Sequence, residues 1–308
     1  VAYLAELNAA IDADREAHGK KALPEKKDEE APVKEIKVSR TDPEAGYMVR
    51  DGKPTGFFYL DHRTVDGAHA LITDIHVTPA NVHDSVPYLG RLDRMRERFG
   101  FDVAAVGLDA GYFTPALCKG LEERGVYSVM GYRRPTHRDG YFYKREFVYD
   151  RERDGYVCPA GEFLIYRTTN RLGYREYASS SGQCRDCPMR SQCTQSANAI
   201  KVVTRHVWED FKEVVAAHRL TTTGKVIYKR RKETVERSFA DAKELHGHRY
   251  ARYRGLAKVR TQCLLAGACQ NMKKIARLLA RALLRLYATL LGTRTPLTPF
   301  CSFYRLVR

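Results

Sequence analysis

Residues 103–112 read VAAVGLDAGY, an apolar run that ends at Asp109. The segment before it, SVPYLGRLDRMRERF (residues 85–99), has apolar residues at helical spacing, and the segment after it, TPALCKGLEERG (residues 114–125), is also helix-like. A second short apolar run, YSVMGY (residues 127–132), follows. A buried strand between two helices is typical of an α/β core. The pattern therefore places Asp109 at the rigid end of a core strand.

The residues upstream of this core have a different pattern. GYMVR (46–50), GFFYLDHRTV (56–65) and ALITDIHVTP (70–79) are short runs rich in β-branched and aromatic residues, separated by turn signals. They predict antiparallel strands. Residues 1–45 are dense in mixed charge and predict a charged linker that is partly disordered.

The charge balance indicates the kind of partner. The chain of 308 residues has 53 Lys and Arg against 37 Asp and Glu, a formal net charge of +16. Such an excess favours polyanions, and nucleic acid is the expected partner. The longest apolar runs are too short to span a bilayer, and the first residues are too charged for a signal peptide. The sequence therefore predicts a soluble, cytoplasmic protein that does not interact with membranes.

Four stretches carry a resemblance to a known family. They are LDHRTVDGAHALITDIHVTPANVHDSVPYL (60–89), VGLDAGYFTPAL (106–117), MGYRRPTH (130–137) and the segment from YKRRKETVERSF to MKKIARLL (228–279). In this order the chain resembles DDE transposases of bacterial insertion sequences. The resemblance implies a ribonuclease-H-like mixed sheet flanked by helices, with core segments at 46–135 and 225–292, an inserted Cys-rich β subdomain at 136–224 and a disordered tail at 293–308.

The resemblance also implies the catalytic residues. In this family three carboxylates bind Mg²⁺ or Mn²⁺, which prefer oxygen ligands, for DNA cleavage and strand transfer. Asp109 matches the second acid and Glu236 the third, with Glu233 as the competing candidate one turn earlier. The subgroup has a Tyr, Arg, Glu, Lys signature around the glutamate. Lys243 matches its lysine, whereas Lys232 occupies the place of the arginine and Tyr228 is one residue from its usual spacing.

A DNA-binding surface is expected beside the third acid. Between Lys225 and Arg260 the sequence has 12 Lys and Arg against 4 Asp and Glu. Basic residues interleaved with Tyr can bind phosphates and stack on unpaired bases. The predicted DNA-binding residues are Lys232, Lys243, Arg249, Arg252 and Arg254. The partners are the ends of an insertion sequence and its target DNA, bound by a homodimer.

The first acid has no clear match in the sequence. Asp61, Asp66 and Asp74 are the alternatives, and Asp61 is the best of them because it ends an apolar strand. The preferred interpretation is that the first acid preceded Val1, so that the chain is a truncated copy with weak or no activity. Two alternatives stay open: a competent nuclease or transposase that uses Asp61, and a non-catalytic zinc-containing DNA-binding protein.

Four cysteines suggest a second metal site. Cys158 is followed by the segment CRDCPMRSQC, which contains Cys184, Cys187 and Cys193. Four thiolates suit a tetrahedral structural zinc site, and disulfides are disfavoured in the cytosol. The alternatives are four reduced thiols in a loop-rich region and a redox role for the Cys-x-x-Cys pair.

Overall fold

The computed structural model describes residues 2–24, 35–50, 52, 54–134 and 138–291. In chain order its helices are α1 (Ala2–Ala17), α2 (Tyr88–Phe99), α3 (Pro115–Glu122), α4 (Ser181–Arg185), α5 (Arg190–Cys193), α6 (Glu209–His218), α7 (Thr222–Arg230), α8 (Arg237–Leu245) and α9 (Leu256–Leu290). Its strands are β1 (Gly46–Met48), β2 (Gly56–Val65), β3 (Ile72–Pro79), β4 (Ala105–Leu108), β5 (Tyr127–Met130), β6 (Val148–Asp150), β7 (Gly155–Val157), β8 (Phe163–Thr169), β9 (Tyr174–Ala178) and β10 (Val202–His206). The chain divides into two units, residues 1–36, 84–96 and 100–228 in the first and residues 37–83, 97–99 and 229–308 in the second.

One part of the first unit is a small α/β layer. Strands β4 and β5 pair in parallel, from Ala105 opposite Tyr127 to Leu108 opposite Met130, and α3 makes the crossover between them. Thr114 caps α3 by accepting from the backbone N–H of Leu117, and Pro115 occupies the first turn, where its missing N–H costs nothing. The core of this layer is formed by side chains of α2, α3 and α6 that pack on the two strands.

The other part of the first unit is a five-stranded antiparallel sheet in the order β10-β9-β8-β7-β6. Buried tyrosines, among them Tyr156 and Tyr177, form its core. Helix α1 packs nearby through Leu7 and Ile11, which lie four residues apart and contact Trp208. Residues 2–17 therefore differ from the predicted charged linker, because a narrow apolar stripe is enough to bury this helix.

Polar contacts also fix α1. Asp14 pairs with Arg175 at 2.5 Å, and the Arg15 guanidinium donates to the carbonyl of Thr169 at 2.8 Å. His18 lies 2.6 Å from Asp154 and stacks on the ring of Tyr166. These charged residues caused the linker prediction, yet several of them are the ones that attach the helix to the sheet.

The second unit contains an antiparallel sheet in the order β1-β2-β3 and the C-terminal helices. Ile72, Ile75 and Val77 of β3 pack against Val259 and Cys263 of α9. Two carboxylates cap the start of α9: Asp42 accepts from the N–H of Gly255 and Glu44 from that of Leu256. Acids at this end of a helix satisfy free N–H groups and complement the helix dipole.

The described residues form a mixed α/β protein with several sheets. The strands predicted for a single mixed sheet are hydrogen-bonded as one three-stranded and one two-stranded sheet. Most side chains of α9 beyond Asn271 are exposed. The predicted tail at 293–308 and residues 25–34 of the predicted linker lie outside the described residues. No described helix is long and apolar enough to cross a bilayer.

Candidate functional site

Asp109 occupies the place predicted for it, directly after β4. It precedes a short 3₁₀ turn, Ala110–Tyr112, and its carbonyl accepts from the N–H of Tyr112 at 3.0 Å. Leu108 before it is buried in the core, whereas Asp109 itself is exposed. The backbone is therefore anchored on the strand side, while Asp109 itself lies at the surface.

The turn after Asp109 is tightly packed on one side. A Cβ added to Gly131, which follows β5, would lie 2.6 Å from the Tyr228 hydroxyl and 2.9 Å from the backbone nitrogen of Ala110. A Cβ added to Gly111 would meet nothing within 4 Å. Glycine is thus required at position 131 to let the turn and Tyr228 approach, and the space beside Gly111 is open.

Glu236 lies at the end of a π-helical segment, Lys232–Glu236, that leads into α8. The N–H of Glu236 donates to the carbonyl of Arg231, five residues earlier, at 3.0 Å. The Glu236 side chain is 52% exposed, and its Oε1 lies 3.9 Å from the Arg231 guanidinium. π-helical segments are rare in proteins overall, and those that occur often lie at functional sites. Glu233, the competing candidate, is exposed on the same segment.

The π segment changes how the signature aligns. A π-helical turn contains one residue more than an α-helical turn. The residue one turn before Glu236 is therefore five positions earlier in the sequence, whereas in an α-helix it would be four positions earlier. That residue is Arg231. The sequence reasoning placed Lys232 at this position because it assumed an α-helix throughout. The extra residue between Tyr228 and Glu236 has the same cause.

A buried polar network holds the start of α8. Arg63 on β2 donates to the carbonyl and the hydroxyl of Ser238 at 3.3 and 3.2 Å. Gln270 on α9 donates to the same carbonyl at 3.1 Å and accepts from the Ser238 hydroxyl at 3.0 Å. The network fixes the backbone two residues after Glu236. Hydrophobic periodicity could not reveal it, since the buried face consists of Thr234, Ser238 and Ala242.

The five predicted DNA-binding residues are all exposed: Lys232, Lys243, Arg249, Arg252 and Arg254. Four of them follow Glu236 along α8 and the loop after it. Arg249 pairs with Glu244, and the backbone of Arg252 is held by Gln262 at 2.9 Å. Tyr250 and Tyr253 in the same loop are 80% and 55% exposed, so their rings are accessible for stacking.

Asp61, the best alternative for the first acid, is already engaged. Its Oδ2 accepts from the Arg63 Nε at 2.9 Å and lies 2.9 Å from the His248 Nε2. Burial by itself would raise the pKa of Asp61, but the hydrogen bond from His248 and the charge of Arg63 outweigh it and lower that pKa. This carboxylate is mostly buried and already paired, unlike the exposed Asp109.

The four cysteines line one cavity. Cys158 follows β7, Cys184 lies on α4, Cys193 ends α5, and Cys187 lies between those helices. All four are free thiols. Burial raises the pKa of the Cys193 thiol, and the three neighbouring cysteines add to that effect. In the part of the chain that the structure describes, however, no three of these sulfurs lie within 4.8 Å of one another. A closed zinc site requires about 3.5–4 Å, so the loops must tighten for metal to bind.

Asp109 belongs to the first unit and Glu236 to the second. Their predicted approach around a shared cation stays a prediction. Among known proteins, residues 157–276 match a family model described as a transposase DDE domain. This range contains Glu236 and the Cys-rich segment. A search of curated proteins and a search of solved structures each find no match.

Proposed function

We propose that this chain, an insertion-sequence transposase of the DDE class, binds the ends of its element and uses a divalent cation at Asp109 and Glu236 in transposition. The observation that supports the proposal most directly is the exposed acid at the end of β4 in a chain whose later residues match a transposase DDE domain. The charge of +16 supports DNA as the partner.

The two acids suit Mg²⁺ or Mn²⁺, because both are exposed oxygen donors at well-supported backbone positions. When bound, such a cation activates the attacking oxygen and stabilises the leaving oxygen of a phosphodiester. The protein residues provide the rest of the site. The end of β4 fixes Asp109, the Arg63 and Gln270 network fixes the helix after Glu236, and Arg231 and Lys243 supply positive charge for phosphates.

Strand cleavage by this chain should be weak. Asp61 is engaged by Arg63 and His248, and we propose that it does not serve as the first acid. Two carboxylates can bind one cation loosely but cannot fix two cations. The chain should therefore bind DNA without efficient cleavage.

The proposal is tested by cleavage of element-end DNA in Mg²⁺ or Mn²⁺ and by Mn²⁺ binding measured with electron paramagnetic resonance. Asp109→Asn and Glu236→Gln should each weaken Mn²⁺ binding, and each should abolish any residual cleavage. Glu233→Gln is the matched control, being an exposed glutamate on the same segment. If Glu233→Gln has the larger effect, the third acid is misassigned. Efficient DNA cleavage by the original chain, together with loss of that cleavage in Asp61→Ala, would overturn our assignment of Asp61.

DNA binding is tested by salt dependence. Each phosphate contact contributes about 0.9 to the slope of log K against log salt concentration. Arg252→Ala combined with Arg254→Ala should lower the slope by about two. Arg94→Ala combined with Arg98→Ala, which removes two exposed arginines from α2, should leave it unchanged. Equal slopes for the two double variants would place the DNA elsewhere.

The Cys-rich segment is proposed to bind a structural zinc ion through Cys158, Cys184, Cys187 and Cys193. Their position around one cavity supports this. One equivalent of zinc should be lost from the Cys184→Ser, Cys187→Ser double variant and retained in Cys118→Ser, whose thiol is buried elsewhere in the first unit. Equal zinc contents would show that the segment holds reduced thiols only.

The homodimer implied by the family resemblance is proposed for the DNA-bound state. Sedimentation with and without element-end DNA measures it directly. A single copy on each DNA end at saturating protein would contradict it.

A further inference from the structure

A second cluster of metal-ligating side chains lies around Asp61. Three buried side-chain atoms of this cluster have no hydrogen-bond partner: Asp61 Oδ1, His248 Nδ1 and Arg63 Nη2, whose contact with Asp61 is an ion pair only. Buried polar atoms without partners are uncommon in native proteins, and a bound cation would satisfy the acceptor among these three, Asp61 Oδ1. The cluster belongs entirely to the second unit.

The cluster includes a thiol. Cys263 on α9 is 2% exposed, and its Sγ lies 3.7 Å from the His248 Nε2. That nitrogen lies 2.9 Å from the Asp61 Oδ2. One ligand atom from each of the three residues falls within 4.8 Å of the other two, and this is the one such group found among the described residues.

The spacing fits a four-coordinate metal ion. Tetrahedral bonds of about 2.0–2.3 Å place neighbouring nitrogen, oxygen and sulfur ligands about 3.3–3.6 Å apart. The two measured separations differ from that range by a few tenths of an ångström. Small side-chain rotations would therefore bring all three ligands onto one ion.

We propose that Asp61, His248 and Cys263 form a binding site for a zinc-type transition metal ion. Mixed nitrogen, sulfur and oxygen donors suit zinc, whereas Mg²⁺ and Mn²⁺ prefer oxygen donors alone. The Asp61 carboxylate and a Cys263 thiolate balance the two positive charges of the ion, and the thiol proton leaves to solvent. Water occupies the fourth position.

Arg63 takes a supporting role in this site. A carboxylate has two oxygens, and Arg63 Nε keeps its bond to Oδ2 while the unpartnered Oδ1 turns to the metal. Outer hydrogen bonds of this kind orient metal-binding carboxylates. The ion would join three elements: β2, helix α9 and the loop between α8 and α9. Since β2 is far from the other two in sequence, the ion would stabilise the second unit independently of any transposition chemistry.

The test is metal content. The full chain is stripped of metal, loaded with Zn²⁺, desalted and analysed by mass spectrometry of the elements. Cys263→Ser and His248→Gln should each contain one zinc equivalent less than the original chain. Cys269→Ser is the matched control, a partly buried thiol on the same helix, and should contain as much zinc as the original. Zinc at the four-cysteine cavity persists in all three variants, so the two sites are counted separately.

A thermal melt gives a second measurement on the same samples. Zinc should raise the melting temperature of the chain by more than it raises that of His248→Gln. His248 lies in a loop, so this variant decides the question even where Cys263→Ser fails to fold. Equal zinc contents and equal zinc-induced shifts in the original chain and His248→Gln would overturn the proposal.

Discussion

Removing Arg63 should destabilise the second unit more than removing the arginine of an exposed Arg–Asp ion pair would. The guanidinium is fully buried, donates to the Asp61 carboxylate at 2.9 Å and also donates to Ser238. Arg63→Met leaves Asp61 buried with one partner fewer. Breaking a buried pair in this way costs about 3–5 kcal/mol, because the remaining charge stays desolvated.

The coupling energy between Arg63 and Asp61 is isolated by a double-mutant cycle of Arg63→Met and Asp61→Asn. Each single variant leaves a buried partner unpaired, so the double variant should lose less stability than the two single variants together, by about 2–3 kcal/mol. Arg124 and Asp93 provide a control cycle, since they form an Arg–Asp pair with two hydrogen bonds, at 2.8 and 2.7 Å, but their side chains are 29% and 39% exposed. Their coupling should stay near or below about 1 kcal/mol.

The assay is urea unfolding in the presence of a chelator at neutral pH. Far-ultraviolet circular dichroism is the suitable signal, since the 35-residue helix α9 belongs to the same unit as Arg63. Equal coupling energies in the two cycles, or an Arg63→Met variant as stable as Arg124→Met, would refute the view that this network holds the second unit together.

Three further outcomes are expected. Gly131→Ala should cost about 1–3 kcal/mol in thermal or urea unfolding, because the new Cβ would collide with the Tyr228 hydroxyl and the turn after β4; an unchanged stability would mean that this turn is loose. Burial by itself would raise the pKa of Asp154, but hydrogen bonds from Tyr149, Tyr177 and His18 outweigh burial and lower that pKa. The contribution of Asp154 to stability is therefore complete above about pH 4 and is lost as the pH falls through the lowered pKa. Melting temperatures between pH 5 and pH 3 should fall less steeply for Asp154→Asn, and parallel curves would contradict the linkage. Arg231→Gln should strengthen Mn²⁺ binding several-fold, since a positive charge 3.9 Å from Glu236 opposes the cation by about 1 kcal/mol in water. A larger gain in Lys232→Gln would show that Lys232, and not Arg231, lies beside Glu236.

The strands and helices near Asp109 were predictable because their pattern is local. An apolar run followed by an acid and a helix specifies a strand end, and Asp109 stands there. The family resemblance added Glu236 and the Cys-rich segment, and the transposase DDE match covers both. The four cysteines lie around one cavity, as their spacing indicated, although their sulfurs are more widely spaced than a closed zinc site requires.

Buried charge was the feature that the sequence concealed. The dense charges near residue 15 predicted a linker, yet Asp14 and Arg15 form buried or half-buried bonds that attach α1 to the five-stranded sheet. The charged side chain of Arg63, in strand β2, is likewise fully buried. Composition gives the number of charges, and only tertiary contacts determine which of them are paired inside the protein.

The π segment before α8 explains why the signature could not be aligned by counting residues. In an α-helix the partner one turn before Glu236 is four residues away, which selects Lys232. The observed bond from Glu236 to the Arg231 carbonyl spans five residues, and the Arg231 guanidinium lies beside the Glu236 carboxylate. Arg231 therefore takes the place beside Glu236 that an unbroken α-helix would give to Lys232. A departure in spacing can thus reflect a local change of helix type, which counting residues along a regular helix does not anticipate.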